Sequence, residues 1–280
     1  MIRPFQYFCP RTAREVTELL LAHPGAALLA GGTDLLVDMR GGTVRPEFVI
    51  DLKRVAGLDE LRPGGAAEPA FIGACVTLCR VAEDERLPTF LREAASSVGT
   101  YQVRNRATLV GNLCHASPAA DTAPPLLALG AMAHVLRADG SEAQLPLTSF
   151  FTGVKRTALA PGQWVLGIEI PAQAEAFAGR FLKRQRVRGH DLAVINAAGC
   201  AWPGSKKLRF TVGACAPTPL LFELDDLYAG RGGTVGAWID AAWSRIAAAL
   251  KPISDNRGSA EYRTDMAELF TRTILEELGR

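Results

Sequence analysis

Two stretches decide the fold: Leu28-Leu29-Ala30-Gly31-Gly32-Thr33-Asp34-Leu35-Leu36 and, roughly 80 residues later, Val103-Arg104-Asn105-Arg106-Ala107-Thr108-Leu109-Val110-Gly111-Asn112. Each places glycine and small polar residues directly after an apolar run, and Ser117-Pro118-Ala119-Ala120-Asp121 follows the second stretch. Glycine allows a sharp turn that exposes consecutive backbone N–H groups to an anion. Two such turns are suited to hold a diphosphate from both sides. The pattern therefore predicts a dinucleotide ligand and a redox function.

The composition is that of a globular protein. The 280 residues are 48% hydrophobic and 21% charged, which is enough for one large domain or two ordinary ones. A net charge of +2 argues against nucleic-acid binding. No apolar run reaches the roughly 20 residues that span a bilayer. Because Pro4 and Cys9-Pro10 interrupt the N-terminus, we expect no signal peptide and a cytoplasmic location.

The cysteines and histidines are scattered along the chain. Of the six cysteines only Cys75 and Cys79 lie close together in sequence, and the four histidines form no group. Zinc and iron–sulfur sites usually have more tightly spaced ligands. We therefore expect ordinary reduced thiols and no metal site in this chain.

Residue patterns predict a mixed region of helices and strands up to residue 172. Thr12-Ala13-Arg14-Glu15 is typical of a capping box, and Thr77 can cap a second helix. Helices are expected over 12–23, 78–86, 88–98 and 124–129. Strands are expected over 26–30, 47–52, 69–75, 132–137, 142–146 and 164–170. We divide this region, 1–172, into a small part, about 1–55, and a larger part, about 56–172.

A second domain is expected over 179–280, after a polar, alanine-rich linker at 173–179. Runs over 181–186, 193–202 and 208–214 predict an antiparallel meander. Helices are expected to follow over 220–229, 234–250 and 259–278, the last with Ser259 as its cap. Strands followed by helices indicate a separate α+β domain.

Each glycine motif also has a plainer explanation. Gly31-Gly32 alone is consistent with a simple strand-to-helix turn, and it is neither a Rossmann fingerprint nor a P-loop. Asn112 and Ser117 supply neutral donors. Asp121 is either an acceptor for a ribityl or ribose hydroxyl or the N-cap of the next helix.

Taken together, the motifs resemble the FAD-binding medium subunit of the molybdenum hydroxylases, the xanthine dehydrogenase and carbon monoxide dehydrogenase family. The resemblance covers nearly the whole chain and rests on Pro4-Phe5-Gln6-Tyr7, Ala30–Leu36, Ile72-Gly73-Ala74, Val103–Asn112, Pro118–Asp121, Leu166–Pro171 and Phe181–Asn196. It implies an α+β fold, with a two-part FAD-binding domain of the PCMH/vanillyl-alcohol-oxidase type and a C-terminal domain of antiparallel sheet and helices.

The resemblance also implies the residues that bind FAD. The first wall of the diphosphate site would be formed by Leu29, Ala30, Gly31, Gly32, Thr33, Asp34 and Leu35. The second wall would be formed by Thr108, Leu109, Val110, Gly111 and Asn112. Further positions near the flavin would be Val98, Ser117, Asp121, Leu166 and Lys183. The basic run Lys183–Arg188 is then either a solvated strand end or the source of a cation near the flavin ring.

One position departs from the family pattern. The family usually has Gly-Gly-Asn where this chain has Val110-Gly111-Asn112. If the first glycine needs a positive φ, a β-branched residue there is strained. If that glycine only provides clearance, Val110 narrows the pocket slightly.

The resemblance implies an electron-transfer subunit of a heteromeric enzyme. A large subunit with a molybdenum cofactor would oxidise the substrate, and a small subunit with two [2Fe–2S] clusters would pass electrons to the FAD of this chain, in a dimer of heterotrimers. The FAD would reduce an external acceptor such as NAD⁺, O₂ or a quinone. Two alternatives stay open: a self-sufficient flavoprotein oxidase of the vanillyl-alcohol type, which needs a larger substrate domain, and a non-flavin scaffold.

Overall fold

The computed structural model describes residues 2–187, 189–231 and 235–280. The chain begins with a small parallel sheet of three strands in the order β1-β3-β2: β1 (Gln6–Phe8), β2 (Ala27–Leu29) and β3 (Phe48–Asp51). Parallel neighbours need crossover connections, and two helices supply them: α1 (Ala13–Ala22) and α2 (Leu35–Gly41). The first glycine stretch is the turn between β2 and α2.

The second sheet is antiparallel, with the strand order β4-β5-β10-β6-β7. Its strands are β4 (Leu61–Arg62), β5 (Ala70–Gly73), β6 (Met132–Leu136), β7 (Glu142–Pro146) and β10 (Trp164–Ile170). A helical segment joins β5 to β6: α3 (Leu78–Glu83), α4 (Thr89–Ser96), α5 (Tyr101–Arg104), α6 (Leu109–Cys114) and α7 (Ala123–Ala128). Between β7 and β10 lie α8 (Leu147–Phe150) and the hairpin of β8 (Phe151–Gly153) and β9 (Arg156–Thr157).

The third sheet is an antiparallel meander of consecutive strands: β11 (Ala178–Arg184), β12 (Ile195–Trp202), β13 (Lys207–Gly213) and β14 (Leu220–Glu223). Three helices follow: α9 (Asp225–Ala229), α10 (Val235–Ala247) and α11 (Ala260–Leu278). Strand β12 is buried at every position because α11 and α7 both pack against it. Its small side chains fit this position, and at Gly199 a Cβ would lie 2.5 Å from Ile274 Cγ2.

The predicted helix caps at Thr12, Thr77 and Ser259 are present. Thr12 Oγ1 accepts a hydrogen bond from the Glu15 N–H at 3.2 Å, and Ser259 Oγ accepts one from the Tyr262 N–H at 3.1 Å. The capping box is not reciprocal, however, because the Glu15 carboxylate accepts from the N–H of Arg11 and not from that of Thr12.

The prediction for 220–229 was wrong in its first half. Leu220–Glu223 is strand β14, paired antiparallel with β13, and the helix begins only at Asp225. The predicted linker 173–179 is also too long, since β11 already begins at Ala178. Residue 234, the predicted start of α10, lies outside the described residues. Within the described ranges, no helix combines the length and hydropathy needed to cross a bilayer.

A buried cation, Arg263 of α11, joins the last helix to the loops of the third sheet. Its side chain is 1% exposed, and it donates hydrogen bonds to the carbonyl oxygens of Val194 and Ala214 and to Asp255 Oδ1, the last at 2.7 Å. Burial by itself raises the pKa of Asp255. The hydrogen bonds from Arg257 and Arg263 outweigh that effect and hold the pKa well below its usual range.

Asp255→Asn is therefore expected to lower the free energy of unfolding by about 2 kcal/mol at pH 7, because it leaves Arg263 buried without its counter-ion. Since the pKa of Asp255 is lowered in the folded state, this stabilisation is complete above the unfolded pKa of about 4 and is lost as the pH falls below it. Urea unfolding at a series of pH values measures both effects. Asp240→Asn, at a 62% exposed carboxylate paired with Arg272, is the control and should change stability by less than about 0.5 kcal/mol. Equal losses in the two variants would contradict the assignment.

Candidate functional site

The two glycine stretches meet in space, backbone against backbone. A Cβ at Gly31 would collide with the carbonyl oxygen of Arg106 and lie 2.8 Å from Ala107 Cα. Only glycine permits this approach. A second link is polar: Asp34 Oδ1 lies 4.0 Å from His115 Nε2, at the end of α6.

The turn after β2 leaves a run of backbone donors free. Gly32 has φ +75°, which glycine adopts without strain. Among the described residues, no atom accepts a hydrogen bond from the N–H groups of 31–35. The turn is held from outside by Lys53, whose Nζ donates to Ala30 O at 3.3 Å and to Asp51 Oδ1 at 2.7 Å. Consecutive free N–H groups form a cradle for an anion.

The second stretch begins helix α6 with Thr108 as its N-cap. Thr108 Oγ1 accepts from the Gly111 N–H at 3.0 Å. Asn112 Oδ1 accepts from the hydroxyl of Thr122 at 2.7 Å, so the NH₂ group of Asn112 is left for another acceptor. Val110 lies inside α6, is 4% exposed and has no positive φ. Of the two alternatives for Val110, backbone strain is therefore absent, and its side chain packs into the core.

Asp121 is a buried acceptor and not a helix cap. Its carboxylate lies 2.7 Å from Lys183 Nζ, and each of these side chains is 6% exposed. Lys183 also donates to Ser97 O at 2.9 Å, and Asn196 Nδ2 donates to Asp121 Oδ1 at 2.8 Å. Burial raises the pKa of Asp121, against the opposing influence of Lys183 and Asn196. The N-cap position of α7 is Thr122, which makes no side-chain capping bond.

The basic run 183–188 does not behave as one solvated strand end. The side chain of Lys183 is buried, Arg184 donates to the Tyr262 hydroxyl at 2.8 Å, and Arg186 pairs with Asp191 at 3.0 Å. Arg188 lies outside the described residues. Lys183 lines a cavity of about 500 Å³ together with Ser96, Ser97, Gly99, Thr100, Arg104, Gln185, Gly189 and His190.

The other predicted site residues lie at the ends of secondary-structure elements, against the core or in local hydrogen bonds with the backbone. Leu29 ends β2, and Leu35 begins α2. Val98 and Leu166 are partly buried against the core, and Leu166 O accepts from the Ala74 N–H at 2.9 Å. Ser117 Oγ accepts from the Ala119 N–H at 3.3 Å. None of these contacts by itself points to a ligand.

Several residues at the site were given no role of their own by the sequence. Tyr7 donates a hydrogen bond to Asp51, which raises the pKa of the tyrosine to about 12. Burial raises the pKa of Asp51, but the hydrogen bonds from Lys53 and Tyr7 outweigh it and leave that pKa lowered. Asn196 is fully buried beside Asp121. Each acts through a partner distant in sequence, so periodicity and motif spacing do not reveal it.

The donors at the site fit a dinucleotide diphosphate. They are mainly neutral, namely the free N–H groups of 31–35 and the amide of Asn112, and the nearby lysines are paired with buried aspartates. Burial raises the pKa of the Cys75 and Cys114 thiols to about 11 and about 12, so neither is a nucleophile at neutral pH. In the part of the chain that the structure describes, no group of side chains has the make-up of a metal site. The arrangement is suited to hold a cofactor, and the cofactor would supply the redox chemistry.

Comparison with known sequences agrees with this geometry. Residues 3–173 match the FAD binding domain in molybdopterin dehydrogenase, and residues 180–278 match the CO dehydrogenase flavoprotein C-terminal domain. The carbon monoxide dehydrogenase medium chain of Hydrogenophaga pseudoflava is 33% identical, over 98% of this chain and 97% of its own. A putative xanthine dehydrogenase FAD-binding subunit of Escherichia coli K12 is 28% identical, over 97% and 94%.

Solved structures are similar over the same length. A chain of carbon monoxide dehydrogenase from Hydrogenophaga pseudoflava superposes with a TM-score of 0.90 at 28% identity, covering 99% of this chain and 98% of that one. A chain of quinoline 2-oxidoreductase from Pseudomonas putida 86 gives 0.87 at 26% identity, covering 100% and 98%. The chain belongs to the family of FAD-binding medium subunits of the molybdenum-dependent oxidoreductases.

Proposed function

We propose that this chain is the FAD-binding electron-transfer subunit of a heteromeric molybdenum-dependent hydroxylase or dehydrogenase. The observation that carries the proposal is the contact between the two glycine stretches, with free N–H groups at 31–35 beside it. A diphosphate needs such donors on more than one side. The similarity to medium chains over nearly the whole length supports the same function.

Each wall of the proposed FAD site has its own role. The turn Ala30–Leu35 supplies backbone donors to the diphosphate, and the stretch Thr108–Asn112 supplies the facing wall and the Asn112 amide. Asp121, Lys183, Val98 and Leu166 are assigned to the flavin end. We further propose that the FAD-binding domain comprises 1–172, in two parts that divide near residue 55, and that 179–280 forms the C-terminal domain.

Bound FAD supplies the redox chemistry of the subunit, and the protein binds and orients it. The backbone N–H groups at 31–35 have fixed directions, so they need no reorganisation when a phosphate binds. The Asp121–Lys183 pair holds an ammonium group at the wall of the 500 Å³ cavity. The Lys53–Asp51 pair fixes the first turn from behind.

The proposed partners supply what this chain lacks. We infer a large subunit with the molybdenum cofactor and a small subunit with two [2Fe–2S] clusters, assembled as a dimer of heterotrimers in the cytoplasm. Electrons would pass from those clusters to the FAD and then to an external acceptor. The substrate is therefore set by the large subunit.

We expect one noncovalently bound FAD per chain. Precipitation of the purified holoprotein with acid should release all of the yellow colour as FAD, measured by absorbance and chromatography of the supernatant. Colour that stays with the pellet would favour a covalent oxidase. FMN in the supernatant, or no flavin at all, would contradict the diphosphate site.

Gly31→Ala should weaken FAD binding at least about tenfold, because the added Cβ pushes the two stretches apart. Titration of the apoprotein with FAD, followed by flavin fluorescence, measures the dissociation constant. Gly65→Ala is the matched control, since a Cβ at Gly65 would meet no atom within 4 Å. The proposal fails if both variants bind FAD as the wild type does.

The isolated chain loaded with FAD should not be reduced by the organic substrate of its assembled complex. The test mixes the two anaerobically and records the flavin absorbance near its visible maximum. Dithionite is the control, and it should bleach the same sample. Bleaching by the substrate without partners would show that the substrate site is in this chain, as in a self-sufficient oxidase.

A further inference from the structure

Asn196 occupies an unusual position for an amide side chain. It lies on β12 and is fully buried. Its Oδ1 has no hydrogen-bond partner among the described residues, and a Cβ at Gly213 would collide with this oxygen. A buried unpaired carbonyl oxygen lowers stability, and an apolar side chain would avoid that cost. The amide is therefore explained by what its NH₂ group does.

The NH₂ group of Asn196 is directed to one carboxylate. Nδ2 donates to Asp121 Oδ1 at 2.8 Å and has a longer bond of 3.4 Å to Ala120 O. The second oxygen of Asp121 accepts from Lys183 at 2.7 Å. Asn196 and Lys183 thus hold the two carboxylate oxygens separately, which fixes the orientation of the group.

The orientation of Asp121 in turn fixes Lys183. An ammonium group has three N–H donors. Two are used, toward Asp121 and toward Ser97 O at 2.9 Å. Both Lys183 and Ser97 line the 500 Å³ cavity, and the third donor of Lys183 has no partner among the described residues.

We propose that Asn196 is a positioning residue for the flavin end of the site: it holds Asp121 as a carboxylate and thereby keeps the charge of Lys183 balanced and its ammonium group directed at the cavity. This inference rests on the proposed binding of FAD. Among the described residues, the side chain of Asn196 donates hydrogen bonds only to Asp121 and Ala120. Its backbone is paired across β11 and β12 with that of Lys183, which lines the cavity.

Replacement of Asn196 by a residue without an amide donor should raise the midpoint potential of FAD. The groups that face Asp121 are Lys183 of β11, Ser97 after α4 and Asn196 of β12, while Arg104 and His190 line the adjoining cavity. Without the amide donor, Asp121 binds a proton at higher pH. The charge of Lys183 is then unopposed, and it favours the anionic reduced flavin, so the midpoint potential of FAD rises.

The experiment compares Asn196→Leu and Asn196→Asp with the wild type. In Asn196→Leu, the midpoint potential of bound FAD at pH 7 should be more positive than in the wild type, because the charge of Lys183 is no longer balanced. In Asn196→Asp, the introduced carboxyl lies beside Asp121 and retains a proton well above its usual range. Its O–H replaces the lost donor at low pH. FAD binding should therefore approach the wild type near pH 5 and weaken as the pH rises.

Thr211→Val is the matched control, since Thr211 is also fully buried on the same sheet, and its hydroxyl is within hydrogen-bond distance of Pro124 O, at 2.9 Å. Its potential and its pH profile should equal those of the wild type. The inference is overturned if both Asn196 variants fold and show the wild-type potential at every pH. It is also overturned if both fail to fold while Thr211→Val folds, because Asn196 would then be a folding residue. Absence of FAD binding in the wild type would instead refute the proposed function.

Discussion

The close approach of Gly31 to the backbone at 106–107 is the constraint on which the rest of the structure depends. It joins the end of a strand in the small parallel sheet to the helical segment of the second sheet. A side chain at Gly31 would separate the strand end from the helical segment and open the candidate site. Beside this contact, the N–H groups of 31–35 have no acceptor among the residues that the structure describes. Unpaired donors lower the stability of a protein unless water or a ligand satisfies them, so ligand binding and stability are coupled at this point.

The third sheet contributes side chains to the candidate site. Helix α7 packs on β12 and β13, on the opposite face from α11. This packing buries Asn196 and Lys183 beside Asp121, which precedes α7. A buried ion pair contributes little net stability, since the cost of removing both charges from water offsets their attraction. Its position at the wall of a cavity is better explained by the ligand than by the fold.

Much of the secondary structure follows from the local sequence. The prediction that was wrong depends on a contact that the local sequence does not show. The caps at Thr12 and Ser259 and the long strands over 164–170 and 195–202 are local features and were predictable. The stretch 220–229 was assigned to a helix, but pairing with β13 takes its first four residues into the sheet. Strand preference depends on the neighbouring strand, which a single sequence does not show. At Val110 the sequence left two alternatives open, and the absence of a positive φ within α6 excludes the strained one.

Some residues of the candidate site are visible in the local sequence, and others are identified only by their contacts in the fold. The glycine stretches are contiguous, so their turn chemistry is readable from the sequence. Asp121 was a candidate acceptor from its position after the second stretch, and the whole-chain resemblance supplied Lys183. The supporting residues Tyr7, Lys53 and Asn196 are identified only by contacts across the fold. The contacts of these supporting residues also indicate how a diphosphate would be bound. Two lysines near the site are paired with buried aspartates, Lys53 with Asp51 and Lys183 with Asp121. A diphosphate held here would be met mainly by backbone dipoles of fixed direction and not by net positive charge. Binding of that kind depends on geometry more than on ionic strength, because paired charges and short-range hydrogen bonds are little affected by screening.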